Sequence, residues 1–258
     1  MKLYRRFFMI HLKSAFQYKI SFLLISIGQF FTAFMVFVGV KFMFDRFHTV
    51  KGYVYSEVLL CFSIVLMAFT LAEMFVRGFD TFSHIIANGE FDRVLLRPRN
   101  EIFLVLAGKM ELSRVGRLLQ SIIILAYGIN TCEIIWSWDK IVTLILMICG
   151  GTVIFACLFI IFAALCFFTL EGLEFMNVFT DGAREHGKYP FDIYGKKIFK
   201  FCTYIIPYTL FQYYPFLYLT GREDNKLYML LPIVASLFAI PSIMLWKFGV
   251  RHYKSTGS

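Results

Sequence analysis

Long apolar runs dominate this chain, and short polar stretches separate them. The runs cover Ile20–Phe44, Val58–Phe75, Leu112–Asn130, Ile141–Leu170, Ile205–Leu219 and Leu227–Phe248. About 18 or more apolar residues in a row are enough to cross the hydrocarbon core of a bilayer as a helix. Ile205–Leu219 is shorter and is broken by Pro207 and Pro215, whereas Ile141–Leu170 is longer than one perpendicular crossing needs. The pattern predicts an all-α membrane protein: one domain over residues 1–258, with six transmembrane helices and both ends on the same side. A membrane β-barrel would instead show short strands of alternating polarity.

The middle of the chain leaves two topologies open. Hydropathy alone makes Glu171–Lys200 a cytoplasmic loop and Ile198–Leu219 the fifth span. The alternative ends the fourth span near Phe159 and runs a polar fifth span from about Ala163 to Glu185, so that 189–221 forms an outer, proline-broken re-entrant hairpin. Irregular backbone is tolerated at membrane depth only where protein buries it or a cavity hydrates it. The residue costs favour the first topology, because Glu171, Glu174, Asp181 and Arg184 are expensive in lipid.

Between the second and third runs lies a polar island, Gly78–Arg99, that is itself amphipathic. Ile85, Ile86, Phe91, Val94, Leu95 and Leu96 alternate with Glu90, Asp92, Arg93, Arg97 and Arg99. Apolar anchors ringed by charge are the anatomy of a docking patch. Solvated surface charge is the plainer account of the same residues. The N-terminal segment, MKLYRRFFMIHLKSAFQYK, carries five Lys/Arg and no acid, with Leu3, Phe7, Phe8, Ile10, Leu12 and Phe16 interleaved. It reads as an amphipathic helix in the cytoplasmic interface. A basic flank of the first span would place it on the same side. No cleavable signal peptide is expected.

Composition agrees with this class. Hydrophobic residues make up 59% of the 258 and charged residues 17%, with 32 Phe, whereas soluble domains hold about 45–50% and 25%. The net charge of +9 lies beside apolar runs, so it sets orientation in the bilayer rather than pointing to nucleic acid. Arg114 and Arg117, at the start of the third run, are explained by snorkelling to the interface. Trp136 and Trp138 suit an aromatic belt. Cys61, Cys132, Cys149, Cys157, Cys166 and Cys202 form no C-x-x-C pair and read as small core residues.

Little in the sequence suggests covalent chemistry. Gly182–Lys188 nearly spells a phosphate-binding loop, but Tyr189 replaces the hydroxyl residue that would follow Lys, and no strand is expected before it. The five histidines are scattered, without metal-ligand spacing. No metal or cofactor is expected. Glu171, Glu174, Asp181 and Arg184, with Glu185, are candidate pathway or acid–base residues, because intramembrane ionisable groups are functional candidates by default. Facing water at a membrane edge would equally account for them.

The island resembles the cytoplasmic loop of type-2 ABC exporter permeases. The matching residues are Ile85-Ile86-x-x-Gly89-Glu90-Phe91-Asp92-x-x-Leu95-Leu96-Arg97-Pro98, similar to a subfamily loop reading G-x-[LF]-D-x-x-L-L-R-P. Tyr189-Pro190-Phe191-x-Ile193-Tyr194, Ile206-Pro207-Tyr208 and Tyr213-Tyr214-Pro215 are similar to that family's outer proline elements. Gly195 departs from them, standing where many relatives have Pro. The resemblance implies a partner permease, identical or homologous, and separate ATP-binding cassette ATPase subunits. It also implies a coupling helix in the island, made by Ile86, Gly89, Glu90, Phe91, Asp92, Arg93, Leu95, Leu96, Arg97 and Pro98. It supports the second topology.

The reading is therefore a multi-pass permease subunit of an ATP-driven exporter in the cell (plasma) membrane, with cytoplasmic termini and lipid and protein partners. Ile86, Phe91 and Leu95 would fill the ATPase groove, while Glu90, Asp92, Arg93 and Arg97 would pair with the ATPase surface. ATP hydrolysis would occur on the partner, so the chain itself is not expected to be an enzyme. The rivals are a membrane-embedded enzyme using the Glu171–Glu185 cluster and a non-transporting membrane scaffold.

Overall fold

A computed structural model describes residues 2–169 and 174–255. It is helical, and among the described residues the only β-type pairing is one bridge between Val50 and Tyr53. In chain order the helices are α1 (Lys2–Gln17), α2 (Lys19–Phe47), α3 (Tyr55–Asp80), α4 (Phe82–Ala87), α5 (Glu90–Leu95), α6 (Glu101–Gly108), α7 (Val115–Thr131) and α8 (Trp138–Thr169). They continue as α9 (Asp181–His186), α10 (Lys196–Tyr204), α11 (Tyr208–Phe211), α12 (Tyr213–Thr220), α13 (Leu231–Ser236) and α14 (Ala239–His252).

Five helical stretches are long and apolar enough to cross a membrane: Lys19–Phe47, Tyr55–Ala87, Leu112–Thr131, Trp138–Thr169 and Lys226–His252. The second of these is the hub. Its most apolar window is 83% buried, against 17% for the first, and α3 packs along α7 and α8. In lipid the surroundings are as apolar as a Leu side chain, so close packing rather than escape from water holds such helices together. Gly116 shows how close: a Cβ there would lie 1.7 Å from the Ser26 carbonyl oxygen, so only glycine lets α7 approach α2. Ser26 Oγ donates across the same contact to the Ser113 carbonyl at 3.2 Å.

Two expected boundaries change. α8 runs unbroken to Thr169, so Ala163–Thr169 are its last turns and not the start of a separate span. Ile198–Leu219 is likewise not one helix, because Pro207 and Gln212 break it into α10, α11 and α12. The final run is also segmented: a 3-10 turn, Lys226–Leu230, precedes α13 and α14.

Residues 174–195 run beside α3 as broken backbone: two 3-10 turns, Glu174–Val178 and Phe191–Tyr194, flank the short α9. Arg184 lies over the Phe69 ring at 5.0 Å. A Cβ on Gly187 would meet Val65 at 2.8 Å. Farther along, Lys51 Nζ donates to the Asp192 carbonyl at 3.0 Å. The stretch thus passes from the middle of α3 to the loop before it. Its turns pair part of its carbonyls with backbone N–H groups, and side chains meet several of the others. Buried Gln212 donates to Tyr189 O at 2.9 Å and Gly187 O at 3.3 Å. Tyr194 donates to His186 O at 2.7 Å, and Tyr208 to Phe179 O. Such pairing is what allows non-helical backbone inside a bundle.

Candidate functional site

The polar island folds as a pair of short helices at the end of the bundle where α3 and α8 finish. Gly89 makes the turn between α4 and α5 with φ +67°, in the left-handed region that side chains with a Cβ resist. On the other side of the island, Asn100 caps α6 by accepting from the Phe103 N–H at 3.2 Å. Gly78 lets α6 press on α3, since a Cβ there would sit 2.1 Å from the Val105 carbonyl oxygen.

The two faces of the island differ. Its inner face is an aromatic joint. Phe91 is fully buried, with ring centroids 5.2 Å from Phe82, 5.1 Å from Phe167, 5.1 Å from Tyr253 and 6.1 Å from Trp246. Ile86 is fully buried in the same core. This corrects the expectation that Ile86 and Phe91 fill a partner's groove, because the chain's own α8 and α14 already fill the space around them. Asp92 is corrected as well: its carboxylate accepts from Ser255 Oγ at 2.6 Å, so it points to the C-terminal tail. Burial, and behind it the Asp92 carboxylate, push the Tyr253 phenol pKa up.

The outer face keeps the remaining residues free for contact. Leu95 is 44% exposed and Leu96 85% exposed. Glu90, Arg93, Arg97 and Pro98 are exposed too. Between α4–α5 and α6 runs an open groove of about 580 Å³, with Glu90, Arg93, Arg97 and Lys109 along it. Cations outnumber acids on this face, so a protein seated there would match it with carboxylates.

α1 lies against the same end of the bundle. Tyr4 and Phe7 pack on Phe103, each with ring centroids 6.3 Å apart, and His11 Nε2 is 2.9 Å from the Ala107 carbonyl. Met9, Ile10 and Phe16 remain exposed.

Just inside the bundle sits a charge cluster that snorkelling did not anticipate. Glu73, on α3, is 4% exposed and Arg117 is 7% exposed, and the two pair directly. Arg114 reaches Glu73 at 3.2 Å and Glu111 at 2.8 Å. Arg77 reaches Glu73 at 3.4 Å and Glu111 at 3.3 Å, and it also pairs with Asp80. Arg117 donates to Gln29 on α2. The three guanidinium groups balance the three carboxylates, so the cluster is neutral as a unit and binds α2, α3 and the start of α7 together. Its signal in the sequence was an acid inside an apolar run.

Of the candidate pathway residues, Glu171 lies outside the described residues. Glu174 and Asp181 are exposed and Arg184 is half-buried. Arg184 pairs with Asp181 at 3.2 Å and with Glu185 at 3.0 Å. Lys188, the last residue of the near-match to a phosphate loop, pairs with Glu185. That stretch forms α9 and the turn after it, with the lysine following a helix rather than opening one. Among the described residues no His, Cys, Asp or Glu group is placed to hold a metal ion.

A multi-pass helical membrane protein with a cationic, partly apolar patch at one end is what this geometry defines. The family model for ABC-2 family transporter proteins matches residues 30–257, and the chain belongs to that family. It is thus a permease component of an ABC transporter, a membrane subunit rather than an enzyme, and the family implies partnership with an ABC ATPase. No curated protein and no solved structure matches the chain.

Proposed function

We propose that this permease works in an exporter whose separate ATPase subunit grips the outer face of α4 and α5. The observation that carries the reading is the division of the island. Ile86 and Phe91 fix its back to the bundle, while Glu90, Arg93, Leu95, Leu96 and Arg97 face outward. An ATPase that moves on binding ATP would therefore move a rigid lever and not a slack loop. Energy enters only through contacts that differ between the two states, and rigid-body displacement is the simplest way to spread them through a bundle.

The same reading places the island, α1 and both termini on the cytoplasmic side, with α1 in the interface. It makes the whole chain one permease domain with six crossings. The sixth crossing is the irregular stretch 174–195, and α10–α12 form an outer re-entrant hairpin. Support comes from the side-chain pairing of that stretch's carbonyls and from α11, whose Phe211 would clash at 2.7 Å with a Cβ on Gly151, deep along α8. A second permease, identical or homologous, would complete the path for an unidentified substrate. The exposed faces of α2 and of Lys226–His252 leave room for it and for lipid. Asp181 and Arg184 would line the side of that path.

Affinity purification of the chain from native membranes tests the reading. An ATP-binding cassette subunit should co-purify in stoichiometric amount. A chain that purifies alone and retains a catalytic activity would support the enzyme rival instead.

A further inference from the structure

The family reading concerns what grips the island from outside. The inner face raises a separate question, which part of the bundle receives the movement. The chain leaves α14 at Tyr253, whose φ −61° and ψ 129° turn the backbone out of the helix. Its ring then lies edge-on against Phe91, at 5.1 Å and 89°, and against Phe167 at 5.8 Å. Two residues on, Ser255 donates to Asp92 at 2.6 Å. About two turns back along α14, fully buried Trp246 packs on Phe79, Phe82 and Phe167, with centroids 5.1, 5.0 and 5.2 Å away. α5 is thus clasped from two sides by the last helix and its tail. By contrast its covalent route back to α3 passes through the single left-handed turn at Gly89 and the six-residue α4.

We propose that the C-terminal tail, through Tyr253 and Ser255, is a strap that fastens α5 to α14, so that the island drives the last helix directly. Tyr253 and Trp246 are positioning residues in this role. Aromatic rings packed edge to face transmit displacement well, since such interiors are close-packed and shift as units. The proposal rests on the island being the part the ATPase moves.

Hydrogen exchange on the permease–ATPase complex tests it, compared without nucleotide and after trapping with ATP and vanadate. In the unaltered complex the nucleotide-dependent change should appear in both 90–96 and 239–252. In Tyr253→Ala, amides of 90–96 should exchange about tenfold faster without nucleotide. The nucleotide-dependent change should then persist in 90–96 and vanish from 239–252. Tyr253→Phe should restore it, and exchange in 174–195 should stay unchanged as a measure of intact fold. An undiminished nucleotide response in 239–252 of Tyr253→Ala would overturn the strap. Absence of any response in 90–96 of the unaltered complex would instead remove the docking role on which it rests.

Discussion

Replacing Phe91 by Ala and replacing Leu95 and Leu96 together by Ala should give opposite phenotypes, although all three side chains look alike in the sequence. Phe91 is fully buried among four rings. Truncating a buried Phe leaves a cavity and costs about 3–5 kcal/mol. That is a large part of the 5–15 kcal/mol, roughly, that holds a typical protein folded. Leu96 is 85% exposed and Leu95 44% exposed, and surface changes of this kind usually fall within about 0.5 kcal/mol. As anchors in a partner's groove, however, their loss should cost about 2 kcal/mol of binding, or roughly a thirtyfold loss of affinity. Thermal melting of the detergent-solubilised permease and quantitative co-purification of the ATPase read the two effects separately. Phe91→Ala should melt markedly lower. The Leu95→Ala, Leu96→Ala pair should melt like the unaltered chain yet lose the ATPase. A Phe91→Ala variant as stable as the unaltered chain, or a leucine pair that keeps its ATPase, would refute the two-faced island.

Other outcomes follow from the same structure. Glu73→Ala should destabilise the permease by about 3–5 kcal/mol, because it strands the buried Arg117 without its partner, and chemical denaturation in detergent would show it; an unchanged midpoint would mean the cluster is dispensable. Gln212→Leu leaves the Tyr189 carbonyl unpaired and the Gly187 carbonyl with only the weak Cys61 thiol donor at 3.6 Å, costs about 1–3 kcal/mol for the stranded carbonyl, and should raise protease sensitivity within 174–195; unchanged digestion would count against the packing described for that stretch. A cysteine at Lys196 should react with an impermeant thiol reagent in intact cells and one at Lys13 only after permeabilisation, whereas the reverse pattern would invert the topology.

Most long helices were legible because unbroken apolar runs leave few alternatives, and α2, α3, α7 and α8 lie close to where the runs place them. The stretch after α8 was not legible, for a physical reason. Its carbonyls are paired by Gln212 and Tyr208, 23 and 29 residues along the chain from them, and by Tyr194 within the stretch itself, and hydropathy does not register such pairing. The island was legible as a unit but not in its facing. Phe91 and Leu95 share a helix face by spacing, and spacing does not say whether the chain's own α14 or a partner covers each one. Arg114 and Arg117 read as snorkelling cations because Glu73, their counter-ion, sits in a different run.

The central claim is that an ATPase sits on the outer face of α4 and α5. A photoreactive amino acid in place of Leu96, the most exposed apolar residue of the island, tests it most directly when irradiated in intact cells. The account predicts a single dominant adduct whose peptides come from an ATP-binding cassette subunit. An adduct only to lipid, or only within the permease, would contradict it.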